Sequence, residues 1–203
     1  MREPSKQFSS SMNSKRLVFI AIIGTLGNVF SGLSIYSAPL IASIPLGPVG
    51  ISLAFDLSHI STFIGAFLGG PIIGGAVGLI GGIVASYQFG FSQGNLITGF
   101  GLPIGKAITG VTAGLLISAI GLDRKLLSIP ITILSYIPEA IYTAFLFLVL
   151  FPPVFHLPLA ILYLITAQIL VKAFIEMVII GLILSALLSN RGFKDFTKSW
   201  KNY

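Results

Sequence analysis

Residues 55–60, Phe-Asp-Leu-Ser-His-Ile, put a carboxylate, a hydroxyl and an imidazole (Asp56, Ser58 and His59) within four positions of one another. Those are the letters of a Ser-His-Asp hydrolase. A triad is a geometry, however, and residues this close in sequence seldom reach it. No His-Glu-x-x-His motif occurs anywhere in the chain. Asp56 and His59 could supply two ligands to a metal ion, but with two widely separated histidines and no cysteine the donor set is poor. The expectation is a protein that is not an enzyme and holds no metal or cofactor of its own.

The other residues able to do chemistry are scattered through very apolar surroundings. Outside the two ends and Asp123, Arg124 and Lys125 they are Asp56, His59, Lys106, Glu139, His156, Lys172 and Glu176. A charge inside a membrane span costs from about 2.5 kcal/mol upward and usually faces a protein interior or a water-filled cavity. Their neighbours fit an inward polar face. Gln168, Lys172 and Glu176 are spaced by four and stack on one side of a helix. Thr132, Ser135, Tyr136, Glu139, Tyr142 and Thr143 share a face, as do Lys106, Thr109, Gly110 and Ala113.

Each of these has a plainer reading. Lys172 and Glu176 can neutralise each other inside a bundle, since buried ions are usually paired whether or not they bind anything. The order Lys before Glu is the weaker one for a helical pair, which leaves Glu139 as a partner for either lysine. His59 and His156 can be hydrogen-bonding residues at an interface, and the tyrosines can belong to an interfacial belt.

The elements that must position these residues follow from composition. Of 203 residues, 55% are hydrophobic and 9% charged, and the mean hydropathy is +0.99; an ordinary soluble domain carries roughly 25% charged residues. An integral membrane protein results, built from helices because the backbone must satisfy its own polar groups in lipid. A β-barrel would show alternating ten-residue segments. Six spans are expected, near 17–33, 58–69, 72–88, 102–121, 128–150 and 159–188, forming a membrane domain over 17–190 between basic tails at 1–16 and 191–203. The second span is short, and Gly69-Gly70-Pro71 after it fits a tight turn. Gly70, Gly74, Gly78 and Gly82 fall on every fourth residue, the small-xxx-small spacing that lets helices approach closely. No Gly-Lys-Ser/Thr follows them, so they are not a phosphate loop.

Ten of the twelve basic residues lie in the N-terminal tail (Arg2, Lys6, Lys15, Arg16), the fourth-to-fifth connection (Arg124, Lys125) and the C-terminal tail (Arg191, Lys194, Lys198, Lys201). Cytoplasmic flanks collect Lys and Arg, and an even number of spans places all three on one side, so both termini are expected in the cytoplasm of a plasma-membrane protein. The opposite connections at 34–57, 89–101 and 151–158 contain no Lys or Arg. The net charge of +6 is then topology rather than a nucleic-acid signal. No short apolar core followed by a cleavage site opens the chain, so no signal peptide is expected.

The proline-rich stretch SAPLIASIPLGPVGISLAFDLSHI, which has no Lys or Arg, the short second helix and then GGPIIGGAVGLIGGIV, in a six-span chain of this length, resemble the substrate-binding S component of an energy-coupling factor (ECF) transporter. The resemblance covers the chain by architecture and residues 55–84 by motif. It implies capture of a vitamin or related micronutrient in the outer half, with the first outer loop as a lid and the fourth to sixth helices as walls. FDLSHI is most similar to the riboflavin-type members, which makes riboflavin the first candidate. The resemblance also implies partners: a transmembrane coupling subunit and two cytoplasmic ATPases that use the ATP. The implied docking face on the first helix is Ala21, Gly24 and Thr25, where family members often carry Ala-x-x-x-Ala.

The expected pocket thus comprises Asp56, His59, Lys106, Tyr136, Glu139, Tyr142, Gln168, Lys172 and Glu176, with Lys106 near the start of its helix and Lys172 and Glu139 deeper. A self-sufficient secondary carrier or channel for a polar solute is the alternative, although such proteins are usually larger and built from inverted repeats. An intramembrane enzyme ranks last.

Overall fold

A computed structural model describes residues 14–37, 43–46, 49–52, 55–120 and 127–201. Arg2, Lys6, residues 121–126 with Asp123, Arg124 and Lys125, and parts of the proline-rich stretch lie outside the described residues.

Helix α1, Ser14–Ser37, is apolar almost throughout and buries Phe19, Ile20, Gly24, Gly27 and Ser31, a stripe at helical spacing. In the loop that follows, β1 (Ser43–Leu46) and β2 (Val49–Ser52) form an antiparallel hairpin in the register Ser43↔Ser52 to Leu46↔Val49, with β2 approaching the last long helix. Helix α2, His59–Gly81, contains one residue that is not helical: Gly70, at φ 75 and ψ −166. In a straight helix residues twelve apart are about 18 Å distant. Here a Cβ on Gly65 would lie 2.9 Å from the Val77 side chain, and one on Gly74 would lie 2.7 Å from Ala66. The helix therefore doubles back at Gly70 into two antiparallel halves, and Pro71 opens the second half, where its missing N–H would have had no helical partner.

The second half runs on through α3 (Ile83–Phe89), joined across Gly82, and a 3-10 turn, Phe91–Gln93, to Gly94 at φ 68. Asn28 fastens this junction: its amide donates to the Ile80 carbonyl at 2.8 Å and accepts from the Val84 N–H at 3.0 Å. Helix α4, Leu96–Ile120, returns antiparallel to it, starting earlier than the expected 102. Helix α5, Ser128–Phe145, continues through a π turn, Leu146–Leu150, into α6, Phe151–Phe155. Helix α7, Leu159–Ser189, packs antiparallel to α5, with Ser128 bonded to the Gly181 carbonyl and Thr132 to that of Met177. Helix α8, Arg191–Lys201, follows directly.

Among the described residues, five helical stretches are long and apolar enough to cross a bilayer: Ser14–Ser37, His59–Gln93, Leu96–Ile120, Ser128–Phe155 and Leu159–Ser189. The fold is that of a helical membrane protein. The glycines sit where helices touch by backbone. A Cβ on Gly74 would meet the Gly110 carbonyl at 2.6 Å, one on Gly82 would meet Pro103 Cα at 2.7 Å, and Gly78 faces the Lys106 carbonyl. Gly70 departs from the expected ladder. It has open space around its Cβ position and serves the reversal rather than the contact.

Candidate functional site

The bundle has two distinct ends. The tail end holds the first turn of α1, the reversal at Gly70 and α8; the loop end holds Ser37, the β-hairpin and the approach to α2. Just below the loop end, residues 55–58 are tied to three helices. Ser34 donates to the Phe55 carbonyl at 2.6 Å, and the Asp56 N–H donates to Glu176 Oε1 on α7 at 2.8 Å. The Asp56 carboxylate accepts from the Ser58 N–H at 3.0 Å, satisfying one of the donors that a helix start leaves open. It also accepts from Ser31 Oγ on α1 at 3.3 Å and from Lys106 Nζ on α4 at 2.9 Å. Lys106, itself 3% exposed, donates further to Ser31 and Ser58. Burial alone would push the Asp56 carboxyl up, but the Lys106 ammonium, with His59 and the Ser58 N–H, holds it well below the usual carboxylate range.

A second limb starts at the first residue of α2. His59 Nε2 is 3.2 Å from Glu139 Oε2 on α5, and Thr109 on α4 donates to the same oxygen. Gly105 makes room for that carboxylate, since a Cβ there would be 3.1 Å from Glu139 Oε1. The Tyr136 ring meets the His59 ring edge-on, with centroids 6.3 Å apart. The third pair is looser. Lys172 Nζ lies 3.8 Å from Glu176 Oε1, and its side chain is 30% exposed against 7% for the glutamate.

These contacts bring seven of the nine expected site residues together: Asp56, His59, Lys106, Tyr136, Glu139, Lys172 and Glu176. Gln168 stands one turn from Lys172 on α7, half-buried, with Nε2 enclosed and without a hydrogen-bond partner among the described residues, as are His59 Nδ1 and Thr62 Oγ1. Tyr142 is half-buried one turn beyond Glu139 on α5, outside the contacts described. His156 is exposed at the end of α6 in the left-handed region, φ 52, away from the cluster.

Several expectations change. Lys106 is not near the start of its helix: α4 begins at Leu96, so ten residues place it about 15 Å down, level with Glu139. Its partner is Asp56, and that of Glu139 is His59, so neither lysine pairs with Glu139. Ser58 receives an N–H from Lys106 while His59 turns to Glu139, which separates the letters of the triad. Among the described residues no three His, Cys, Asp or Glu side chains converge as a metal site. On α1, Ala21 and Thr25 are exposed, but Gly24 is buried, with Ile80 2.7 Å from where its Cβ would be. Gly24 is thus a packing residue of α1 on α2, not part of an open docking face. Ser135 and Thr132 are buried on α5, and Thr132 is used in packing against α7.

Ser31, Ser34 and Thr62 belong to the cluster or its edge without having been expected there. For Ser31 a signal existed, because Gly24, Gly27 and Ser31 repeat at helical spacing as small residues on one face. Thr62 lies one turn after His59.

Chemically, the cluster offers three carboxylates, two ammonium groups and an imidazole in a water-poor place, where each attraction is stronger than at a surface. Most of these groups are already paired with one another, so a polar ligand would have to exchange with those internal partners. Comparison with protein-family models, with curated proteins and with solved structures gave no match.

Proposed function

We propose that this chain is the substrate-capture subunit of an ECF-type transporter, binding a vitamin or related micronutrient, riboflavin the first candidate, and delivering it with a coupling subunit and two cytoplasmic ATPases. The observation that carries the reading is the knot at 55–58, where the end of the first loop is fastened through Asp56 to α1, α4 and α7 directly above buried polar groups. A ligand seated there would contact the wall helices and the loop together, so loop position and occupancy would be coupled.

Within that site the two lysines have different parts. Lys106 is locked by Asp56, Ser58 and Ser31 and holds the frame. Lys172, more exposed and 3.8 Å from its glutamate, turns to a ligand carbonyl or anionic group at little cost. His59 Nδ1 and Gln168 Nε2 supply further polar contacts.

The reversal at Gly70 supports six passes, because the stretch His59–Gln93 then enters and returns. Both ends of the chain would lie in the cytoplasm, with the loop end outside. Single cysteines at Ser92 and Ser199 test this: an impermeant thiol reagent on intact cells labels the first only, and the reverse pattern sinks it.

The carrier reading has one feature in its favour, the chain of acid–base pairs Lys106–Asp56, His59–Glu139 and Lys172–Glu176, the kind of residue set that relays protons. Reconstitution separates the two. Alone in liposomes, the protein binds riboflavin or a co-purifying small molecule identified by mass spectrometry, without concentrative uptake, and accumulation requires the partner subunits and ATP. Gradient-driven accumulation by this chain alone would establish the carrier instead.

A further inference from the structure

Helix α8 differs from every other helix in being strongly two-sided. Arg191, Lys194, Lys198 and Lys201 stand against one acidic residue, Asp195, while Phe193, Phe196 and Trp200 recur at intervals of three, four and seven, which keeps helical positions on one face. Asn190, at φ −70 and ψ 130, breaks the axis of α7, and α8 then runs against α2 at the tail end. Phe193 stacks on Phe67 at 6.0 Å and 24°, and Thr197 is buried. Arg191, Lys194 and Asp195 are exposed, and Phe196 is 49% exposed.

A helix too polar to cross the bilayer, with aromatic residues on one side and basic residues on the other, lies in the interface plane. We propose that α8 is a membrane-surface helix that binds the headgroups of anionic lipids. Phe193 docks it on the bundle, Arg191 and Lys194 are exposed, and the excess of four cations over one anion in the helix complements a negatively charged leaflet. In the topology proposed above that is the cytoplasmic leaflet.

Trp200 is the chain's one tryptophan, so its fluorescence reports on α8. The full chain is compared in nanodiscs of phosphatidylcholine and of phosphatidylcholine mixed with phosphatidylglycerol. The anionic discs are expected to shift the emission to the blue and to protect it from acrylamide. Both effects should be lost near 1 M salt, where screening shortens the Debye length to about 3 Å. Lys194→Glu with Lys198→Glu removes the lipid-dependent shift while leaving the melting temperature in phosphatidylcholine unchanged, and Phe196→Ser reduces it. Identical emission in the two lipids, or a shift that survives the charge reversal, overturns the proposal; the first result would turn the basic side toward a protein. Substrate binding plays no part in the readout, so this outcome is independent of the transport reading.

Discussion

Lys106 and Gly110 are one turn apart on α4, and they hold α4 to α2 by opposite means. Lys106 reaches Asp56 and Ser58, at the entrance to α2, with a long charged side chain. Gly110 meets Gly74 by having no side chain, so that the two backbones touch. Toward the loop end the fold spends free energy on desolvated charges; toward the tail end it gains dispersion contacts between close helices. The two are connected, because Gly78 faces the Lys106 carbonyl itself. The glycine seam fixes the backbone from which the ammonium reaches out. Desolvated ion pairs repay their cost only in good geometry, and the seam provides that geometry.

The largest effect is expected at the lysine. Lys106→Met strands the Asp56 carboxylate, and breaking a buried pair costs about 3 to 5 kcal/mol. The value should fall at the lower end, because the Asp56 side chain is 29% exposed. Adding Asp56→Asn should recover most of the loss in denaturant unfolding of the detergent-solubilised protein. A Lys106→Met protein as stable as the parent would mean that the knot is held by the seam alone.

The seam is tested next, by two glycines that look alike in sequence. Gly74→Ala would place a methyl 2.6 Å from the Gly110 carbonyl and 2.7 Å from Ala66, with backbone on one side unable to yield. Overpacking of this kind costs about 1 to 3 kcal/mol. Gly70→Ala meets nothing, yet holds φ 75 with ψ −166, a region essentially restricted to glycine. It should also lose about 1 to 3 kcal/mol, from backbone strain alone. Ala66→Gly should relieve part of the first loss and none of the second. Equal rescue of both would remove the distinction between contact glycine and turn glycine.

That distinction marks how far the sequence could be read. Helical membrane architecture, the reversal at Gly69-Gly70-Pro71 and the close-packing use of Gly74, Gly78 and Gly82 follow from local chemistry, and so they were legible. Charged residues in an apolar chain were legible as a set for the same reason. Their pairing was not, because Asp56 and Lys106 are 50 residues apart and His59 and Glu139 are 80 apart, and no local rule couples such positions. The depth of Lys106 is hidden in the sequence because Gly99 and Gly101 look like part of the connection before a helix that starts near 102. In the fold they lie inside α4: Gly99 and Gly101 pack against Phe91 and Leu146, and Pro103 packs against Gly82. Gly24 has the character of a docking residue in sequence, and only its contact with Ile80 assigns it to the interior.

The smallest stability effect, and the sharpest functional one, is expected at Lys172. As a lysine four residues before a glutamate it looks like a buried ion pair whose loss would cost as much as that of Lys106. The distance of 3.8 Å, against 2.9 Å for Lys106 and Asp56, makes it the looser pair, although the carboxylate left behind is itself only 7% exposed. Glu176 also keeps the Asp56 N–H when Lys172 is removed. Lys172→Met should therefore lose less stability than Lys106→Met, and adding Glu176→Gln should recover part of the loss by removing the stranded charge, unless the lost charge on Glu176 loosens its bond to Asp56. Ligand binding should respond differently. A hydrogen bond to a charged group contributes about 1.5 to 3 kcal/mol, so loss of the ammonium should weaken binding of the co-purifying ligand by roughly one to two orders of magnitude. Full affinity in a folded Lys172→Met protein would remove Lys172 from the ligand. The polar contacts would then fall to His59 Nδ1 and Gln168 Nε2, which have no hydrogen-bond partner among the described residues.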